Sequence, residues 1–304
     1  MHVQGPPITR AGTPTAVDTT TVAELPEAHA CGELARLYAD IRSTLGVDLV
    51  NLIYRHLATL PGALTWAWEC LRPHFVSGAL HRQADALRSA VRQQVASWEA
   101  AFDGVLHHAG AARLTATYNH ANSLNLLAMT HLLGLAGTDI TGRTARSATR
   151  ASAAPAAAAE PADAALSGLP SIPAWSDLPA EERERVLRLN CLGESGHPQI
   201  VASLYRHLAA WPGLLQQVEP GLVRLEQQGE PASALAFTVH AATRIAADDP
   251  LAIAALHPPS IDGDARRRLL RFATVTIPKM VPIGLALQAA FEGGTRTPPP
   301  PNPK

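Results

Sequence analysis

The sequence predicts an all-α protein made of two tandem, pseudo-symmetric helical repeats, a pseudo-dimer with a pocket between its halves. Three observations carry this expectation. The stretch Ile53-Tyr-Arg-His-Leu-Ala-Thr-Leu-Pro-Gly-Ala-Leu64 returns as Leu204-Tyr-Arg-His-Leu-Ala-Ala-Trp-Pro-Gly-Leu-Leu215, with Tyr, Arg, His, Leu, Ala, Pro, Gly and the final Leu identical at matching places. A recurrence this long marks an internal duplication. Apolar residues recur at three- and four-residue spacing along most of the chain, the period of a helix face. No segment combines strict alternation with hairpin turn signals, as a half-buried strand would.

Taken in order, residues 1–30 are rich in Pro and Thr and lack an apolar core. They read as a disordered leader and not as a signal peptide. The first repeat is expected over residues 31–142. Leu34, Leu37, Tyr38, Ile41 and Leu45 share one face, and Gly46 is placed to end that helix. A second helix should run from about Asp48, a candidate N-cap, to Leu60, carrying Leu49, Leu52, Ile53, His56 and Leu57 until Pro61-Gly62 breaks it. A short helix bearing Trp66 and Trp68 is expected to stop before Pro73. Leu87, Val91, Val95, Trp98, Phe102 and Val105 then form an amphipathic stripe. A helix over 114–135 places Asn119, Asn122, Leu126, Met129 and Leu133 on a single face.

Residues 143–182 turn to Ala, Pro and Ser without a lasting apolar face, and read as a linker. The second repeat, 183–293, is introduced by an acidic-then-basic run after Asp177 that suits a helix dipole. The second Tyr-Arg-His helix follows Pro198, with further segments near 214–225 and 233–247. Asp264 is a candidate N-cap for 266–274, and a last helix spans about 279–291. Residues 294–304 form a proline-rich tail expected to be disordered.

Composition excludes some functions. The chain has 304 residues, 47% hydrophobic and 17% charged, enough for a substantial core. A formal charge of -1 with 5% aromatics gives neither a basic field nor a base-stacking surface, which disfavours nucleic acid. No run of about 18 apolar residues suggests a membrane span. Cys31, Cys70 and Cys191 are scattered and odd in number, which fits reduced thiols in a cytoplasmic protein. A homodimer is left open.

Metal chemistry lacks a motif: there is no His-Glu-x-x-His, and His74, His81, His107 and His108 have no carboxylate partners at ligand spacing. No phosphate loop or nucleophile elbow is present, and no cofactor is expected. What remains is polar residues on apolar helix faces. His56 and His207 fall at matching places among leucines, with Ser203 one turn before His207. They read either as satisfied core residues or as imidazoles facing a shared pocket, where one could act as a base. Asn119 and Asn122 are either helix-end caps or buried amides with a bonding role. Arg55 and Arg206 suit a carboxylate ligand or an ion pair with a neighbouring helix.

The segment Leu34-x-x-Leu-Tyr-x-Asp-Ile-x-x-Thr-Leu-x-Val47, with Arg55 and the break at Pro61, resembles the first repeat of the group I 2-haloacid dehalogenases, which act on both D and L substrates. Tyr118-Asn-His-Ala-Asn122 is similar to that family's Asn-Tyr-Gly-Asn segment, and Ala209-Ala-Trp-Pro212 to its second-repeat break. The resemblance covers most of residues 32–293 outside the linker. It implies an all-α pseudo-dimer whose active site lies between the repeats. There a buried aspartate would activate water for direct attack at C2 of a small 2-haloalkanoic acid, expelling halide, while an asparagine at Asn122 holds the water. Registered on Tyr205 and Trp211-Pro212, the aspartate position is Leu204. The family's pocket aromatics fall at Leu49 and Leu52, and a threonine and a glutamate fall at Ser77 and His81. The expectation is therefore carbon–halogen hydrolysis with His207 as substitute base and Asn122 on the water. Arg55, Asn119, Leu49, Leu52, Ser203, Leu204 and His56 would surround the substrate. The alternative is a repurposed relative that binds a small apolar carboxylic acid or a protein partner without turnover.

Overall fold

A computed structural model describes residues 22–135, 169–194, 200–253 and 259–293. Among these residues there are eleven α-helices and no strand. The chain is all-α.

Helix α1, Gly32–Leu45, buries Tyr38, Ile41 and Leu45 and ends at Gly46 with φ 67°, a left-handed turn that glycine adopts without strain. An extended stretch leads into the six-residue helix α2, Leu52–Leu57. This is shorter than its apolar pattern suggests, and Asn51, not Asp48, sits at its N-cap. Gly62, at φ 71°, opens α3, Ala63–Val76, which continues through Pro73. Helix α4, Ala79–Gln94, gives way to a 3-10 segment, Ala96–Phe102, so the stripe from Leu87 to Phe102 spans two elements. Helix α5, Ala109–Leu132, is capped by His108, whose Nδ1 accepts from Ala111 N.

The second half runs through the same kinds of element. Helices α6 (Ala180–Asn190), α7 (Ser203–Leu208), α8 (Leu214–Gln227) and α9 (Glu230–Asp248) follow in order. Helix α7 has six residues like α2, and α8 has fourteen like α3; each of the longer pair holds an internal proline, Pro73 in the last third of α3 and Pro220 at the middle of α8. Helix α10, Gly263–Arg271, is capped by Asp262, which accepts from Ala265 N. The expected cap at Asp264 is corrected: that residue lies inside the first turn and pairs with Arg267. A π-helical turn, Phe272–Thr276, joins α10 to α11, Ile277–Glu292. Pro278 and Pro282 supply no N–H to the helix ladder, and the wider turn comes just before the first of them.

Helices α5 and α11 form the centre. Eighteen residues of α5 are buried, from Ala111 to His131, so it is surrounded on all sides instead of lying on a surface. It packs against α11, α4 and α9. The α10–α11 run, Gly263–Glu292, is long and apolar enough to cross a membrane, but 78% of its most apolar window is buried inside the fold, as in a core helix. The contact with α5 is close: a Cβ at Gly284 would overlap Asn119 Oδ1.

The leader expectation needs correction at its end. Residues 22–30 are described, include a 3-10 turn at Glu27–His29, and pack on the body of the protein. Val22 is buried, Tyr38 Oη donates to Leu25 O at 2.9 Å, and Glu27 accepts from Val50 N at 2.6 Å and pairs with Arg42. Local pattern cannot show this, because the partners lie 13 to 23 residues away. The end of the expected linker is likewise structured. It holds a 3-10 turn at Trp175–Asp177 and the buried Leu178 before α6 begins at Ala180. Residues 1–21, 136–168 and 294–304, with the rest of the leader, linker and tail expectations, lie outside the described residues.

Candidate functional site

Two spaces lie beside helices α2 and α7, and α5 and the π turn contribute to the wall of the smaller one. The smaller is a chamber of about 40 Å³ lined by Asn51, Leu52, Ile53, Tyr118, Asn122, Asn125, Ala202, Ser203, Leu204, Phe272, Thr276, Ile277 and Met280. The larger is a cavity of about 620 Å³ whose wall includes Glu24, Glu27, Asp48, Leu49, Arg55, Arg206 and His207, together with residues 169–172.

The chamber mixes hydrocarbon with amides. Asn51 Oδ1 and both side-chain atoms of Asn125 are buried without a hydrogen-bond partner. Buried amides left unpaired cost roughly 1–3 kcal/mol each, and a space this size has room for about two or three waters. Asn122 lies one turn before Asn125 on α5 and faces the same space, in the middle of the helix. Neither Asn119 nor Asn122 caps a helix end. Leu204, 1% exposed, forms part of the wall. Among the described residues no carboxylate lines the chamber.

Two hydrogen bonds tie the chamber wall to the cavity wall. Arg55 NH2 donates to Ser203 Oγ at 3.2 Å, and Tyr118 Oη lies 3.4 Å from His207 Nδ1. The His207 Nε2 is 2.6 Å from Pro170 O, a carbonyl that can only accept. The imidazole therefore carries its proton on Nε2, and its Nδ1 lone pair accepts from Tyr118. Burial lowers the His207 pKa, the Pro170 carbonyl offsets part of that, and the Arg206 and Arg55 charges lower it further. Burial raises the Tyr118 pKa well above that of a free phenol. At neutral pH the pair is uncharged.

Arg55 is 3% exposed and well satisfied. Its Nε donates to Glu24 Oε2 at 2.6 Å, and NH1 donates to Val50 O. It thus makes an ion pair and also borders the cavity.

The expected site residues divide. Leu49, Arg55 and His207 line the cavity, while Leu52, Asn122, Ser203 and Leu204 line the chamber. His56 and Asn119 line neither. His56 Nδ1 lies 2.8 Å from Ala23 O and its ring packs on Phe272, centroids 5.7 Å apart. It does not meet His207. Asn119 Nδ2 donates to Gln288 Oε1 at 2.8 Å, across the tight contact with α11. Both are packing residues in this arrangement, which corrects their expected place in a shared pocket. Ser77 ends α3, and His81 packs between Phe75 and His120; neither reaches the two spaces. Among the described residues no group of three His, Cys, Asp or Glu side chains could hold a metal ion.

Sequence reasoning missed Glu24, Asn51, Tyr118 and Asn125 as wall residues. Asn125 carried a usable signal, continuing the three-residue spacing of Asn119 and Asn122 along α5. Glu24 carried none, since it lies in a stretch without periodicity.

No protein-family model matches the chain. One curated relative, the (R)-2-haloacid dehalogenase of Pseudomonas putida, is 43% identical over 47 residues, a match that spans 16% of this chain and 16% of that protein. Solved structures match at full length. The complex of a D-2-haloacid dehalogenase mutant with D-2-CPA aligns with TM-score 0.64 and 16% identity over 93% of this chain and 98% of its own. The complex of D-2-haloacid dehalogenase with L-LA gives 0.62 and 17%, over 93% and 99%. Helix order, chain path and overall packing thus agree at low sequence identity, and the chain has a 2-haloacid dehalogenase-like fold.

Proposed function

We propose that the chain is a 2-haloacid dehalogenase-like hydrolase that replaces the halogen of a small 2-haloalkanoic acid with hydroxyl by direct attack of water. Group I specificity, acting on both enantiomers, is part of the proposal. The observation that carries it is the Tyr118–His207 pair, which links an amide-lined chamber of water size to a neutral imidazole within this fold. Asn122 and Asn125 would hold the water. As its oxygen bonds to C2 and the halide departs, one water proton passes to Tyr118 Oη while the Tyr118 proton moves to His207 Nδ1. The Pro170 carbonyl keeps the imidazole oriented by accepting from Nε2. The acid is too large for the chamber, so it would lie in the adjoining cavity beside Arg55. Its C2 meets the water only when the Arg55–Ser203 contact parts. No carboxylate is needed at Leu204 on this route.

Halide release from each enantiomer of 2-chloropropionate is the direct test. Release from both, abolished in His207→Ala and reduced in Asn122→Ala, is expected. No halide above the buffer blank from either enantiomer overturns the hydrolase.

A second reading, binding of a small carboxylic acid without turnover, is favoured by one observation: a buried leucine lies in a chamber wall that holds no carboxylate. Under it, carboxylic acids raise the melting temperature while 2-chloropropionate stays intact.

A further inference from the structure

Glu24 is a single carboxylate shared by two guanidinium groups. Its Oε2 accepts from Arg55 Nε at 2.6 Å, and its Oε1 accepts from Arg206 NH1 and NH2 at 3.4 and 3.3 Å. The two arginines hold matching places in the recurring Tyr-Arg-His segments, but their surroundings differ. All three nitrogens of Arg55 are engaged, by Glu24, Val50 O and Ser203 Oγ. Among the described residues Arg206 has two long contacts to one oxygen, and its buried Nε has no partner.

Such contacts lie beyond the usual range of a guanidinium–carboxylate bond, about 2.7–2.9 Å. A guanidinium offers five donors in a planar fork that matches a carboxylate edge, so most of the donor capacity of Arg206 is unused. Its side chain is 16% exposed and borders the 620 Å³ cavity, which puts the guanidinium within reach of a ligand there. Glu27, also on the wall, is committed to Arg42 and Val50 N. Glu24 is the carboxylate in contact with both arginines, and Asp48 is a further acid on the wall, so what the cavity offers an anion is the loosely held Arg206 fork and not a net charge.

We propose that Arg206 is the anion receptor of this cavity, taking the carboxylate of a small monocarboxylic acid edge-on, while Glu24 acts as a built-in competitor. The site deepens the hydrolase reading and rests on it for the identity of the acid. It moves the carboxylate contact from Arg55 to Arg206. An arriving carboxylate would take over the Arg206 fork, leaving Glu24 to Arg55, its shorter partner. Affinity in the intact chain is accordingly held down by Glu24.

The test uses the full chain with propionate, which carries no halogen, and with propionamide as the neutral counterpart of the same shape. Calorimetric titration and thermal shift should show propionate binding and no response to propionamide. Glu24→Gln should tighten propionate binding by about tenfold, the scale of one charge-assisted contact, even as it lowers the melting temperature of the free chain. Arg206→Gln should weaken it by at least as much, with Arg206→Lys intermediate because a point charge lacks the fork. Equal responses to propionate and propionamide overturn the site. So does weaker or unchanged binding in Glu24→Gln, or undiminished binding in Arg206→Gln. If Arg206→Gln does not fold, Arg206→Lys and the amide comparison decide. Propionate binding without halide release sinks only the hydrolase; halide release without propionate binding sinks only this site.

Discussion

Placing a carboxyl at the chamber wall tests the site most directly. Leu204 is 1% exposed and lines a chamber of about 40 Å³ with no cation among the described residues of its wall. Leu204→Asp removes buried hydrocarbon, a loss of about 2–3 kcal/mol at the low end for core truncation. The new carboxyl would be desolvated, with the unpartnered Asn125 Nδ2 as an available donor on the same wall. A folded pKa two to three units above the free value near 3.9 is the usual result of such burial. The sign follows from linkage. With the folded pKa raised, the unfolded chain ionises first, so the penalty is absent below about pH 4 and grows by about 1.4 kcal/mol per pH unit until the folded pKa is reached. The variant should therefore be less stable than the parent by about 5–7 kcal/mol at pH 8 and about 3.5–4.5 kcal/mol at pH 5. Paired urea denaturations at the two pH values measure this, and effects of the histidines cancel in the difference. Halide release from 2-chloropropionate should also rise above that of the parent as pH passes the new carboxyl's pKa, because an ionised carboxylate would then border the water-sized chamber. A penalty below 1 kcal/mol that does not change with pH would refute the burial of Leu204 away from bulk solvent. The expected stability profile without any gain in halide release would refute a carboxylate at position 204 as a base for the chamber water.

Other consequences are quicker to check. Tyr118→Phe deletes the donor to His207 Nδ1 and should cost about 1 kcal/mol in stability. It should lower the rate of halide release at least tenfold with little change in KM; full activity would remove Tyr118 from the proton path. Gly284→Ala should destabilise by about 1–3 kcal/mol despite alanine's better helix propensity, because its Cβ overlaps Asn119 Oδ1 across the α5–α11 contact; a neutral result in thermal melts would mean the helices sit further apart. Stability should fall on acidification below about pH 6.5. Burial lowers the pKa of His56, His81, His120, His131 and His207, so in that range the unfolded chain binds more protons than the folded one. His131, pushed down to about 4, accounts for about 2 kcal/mol of the loss at pH 5. His131→Gln should flatten the acid limb of the melting curve by about that amount; an unchanged limb would count against a buried neutral imidazole there.

Sequence alone determined the helical class and much of the element order. The apolar spacing in α1 and α4 and the stops at Gly46 and Pro61-Gly62 are local properties, written at the period of one helix turn. The recurrence of Tyr-Arg-His made the two halves comparable, and Tyr205 with Trp211-Pro212 supplied the register that singles out Leu204 in the family resemblance. Local pattern failed where an element depends on distant partners. The segment around Glu24 has no periodicity, yet its charges meet Arg55 and Arg206, 31 and 182 residues away. The matching histidines also looked alike in sequence and proved different. His56 meets Ala23 O and Phe272, while His207 meets Tyr118 and Pro170 O, because α5 and the segment before α6 pack against only one of them. Which asparagine faces a void and which faces a glycine is set by where α11 crosses α5, so Asn122 lines a chamber while Asn119 is spent on packing. Periodicity tells a side chain which way to point from its own helix; only the packed neighbours decide whether it meets a wall, a partner or an open space.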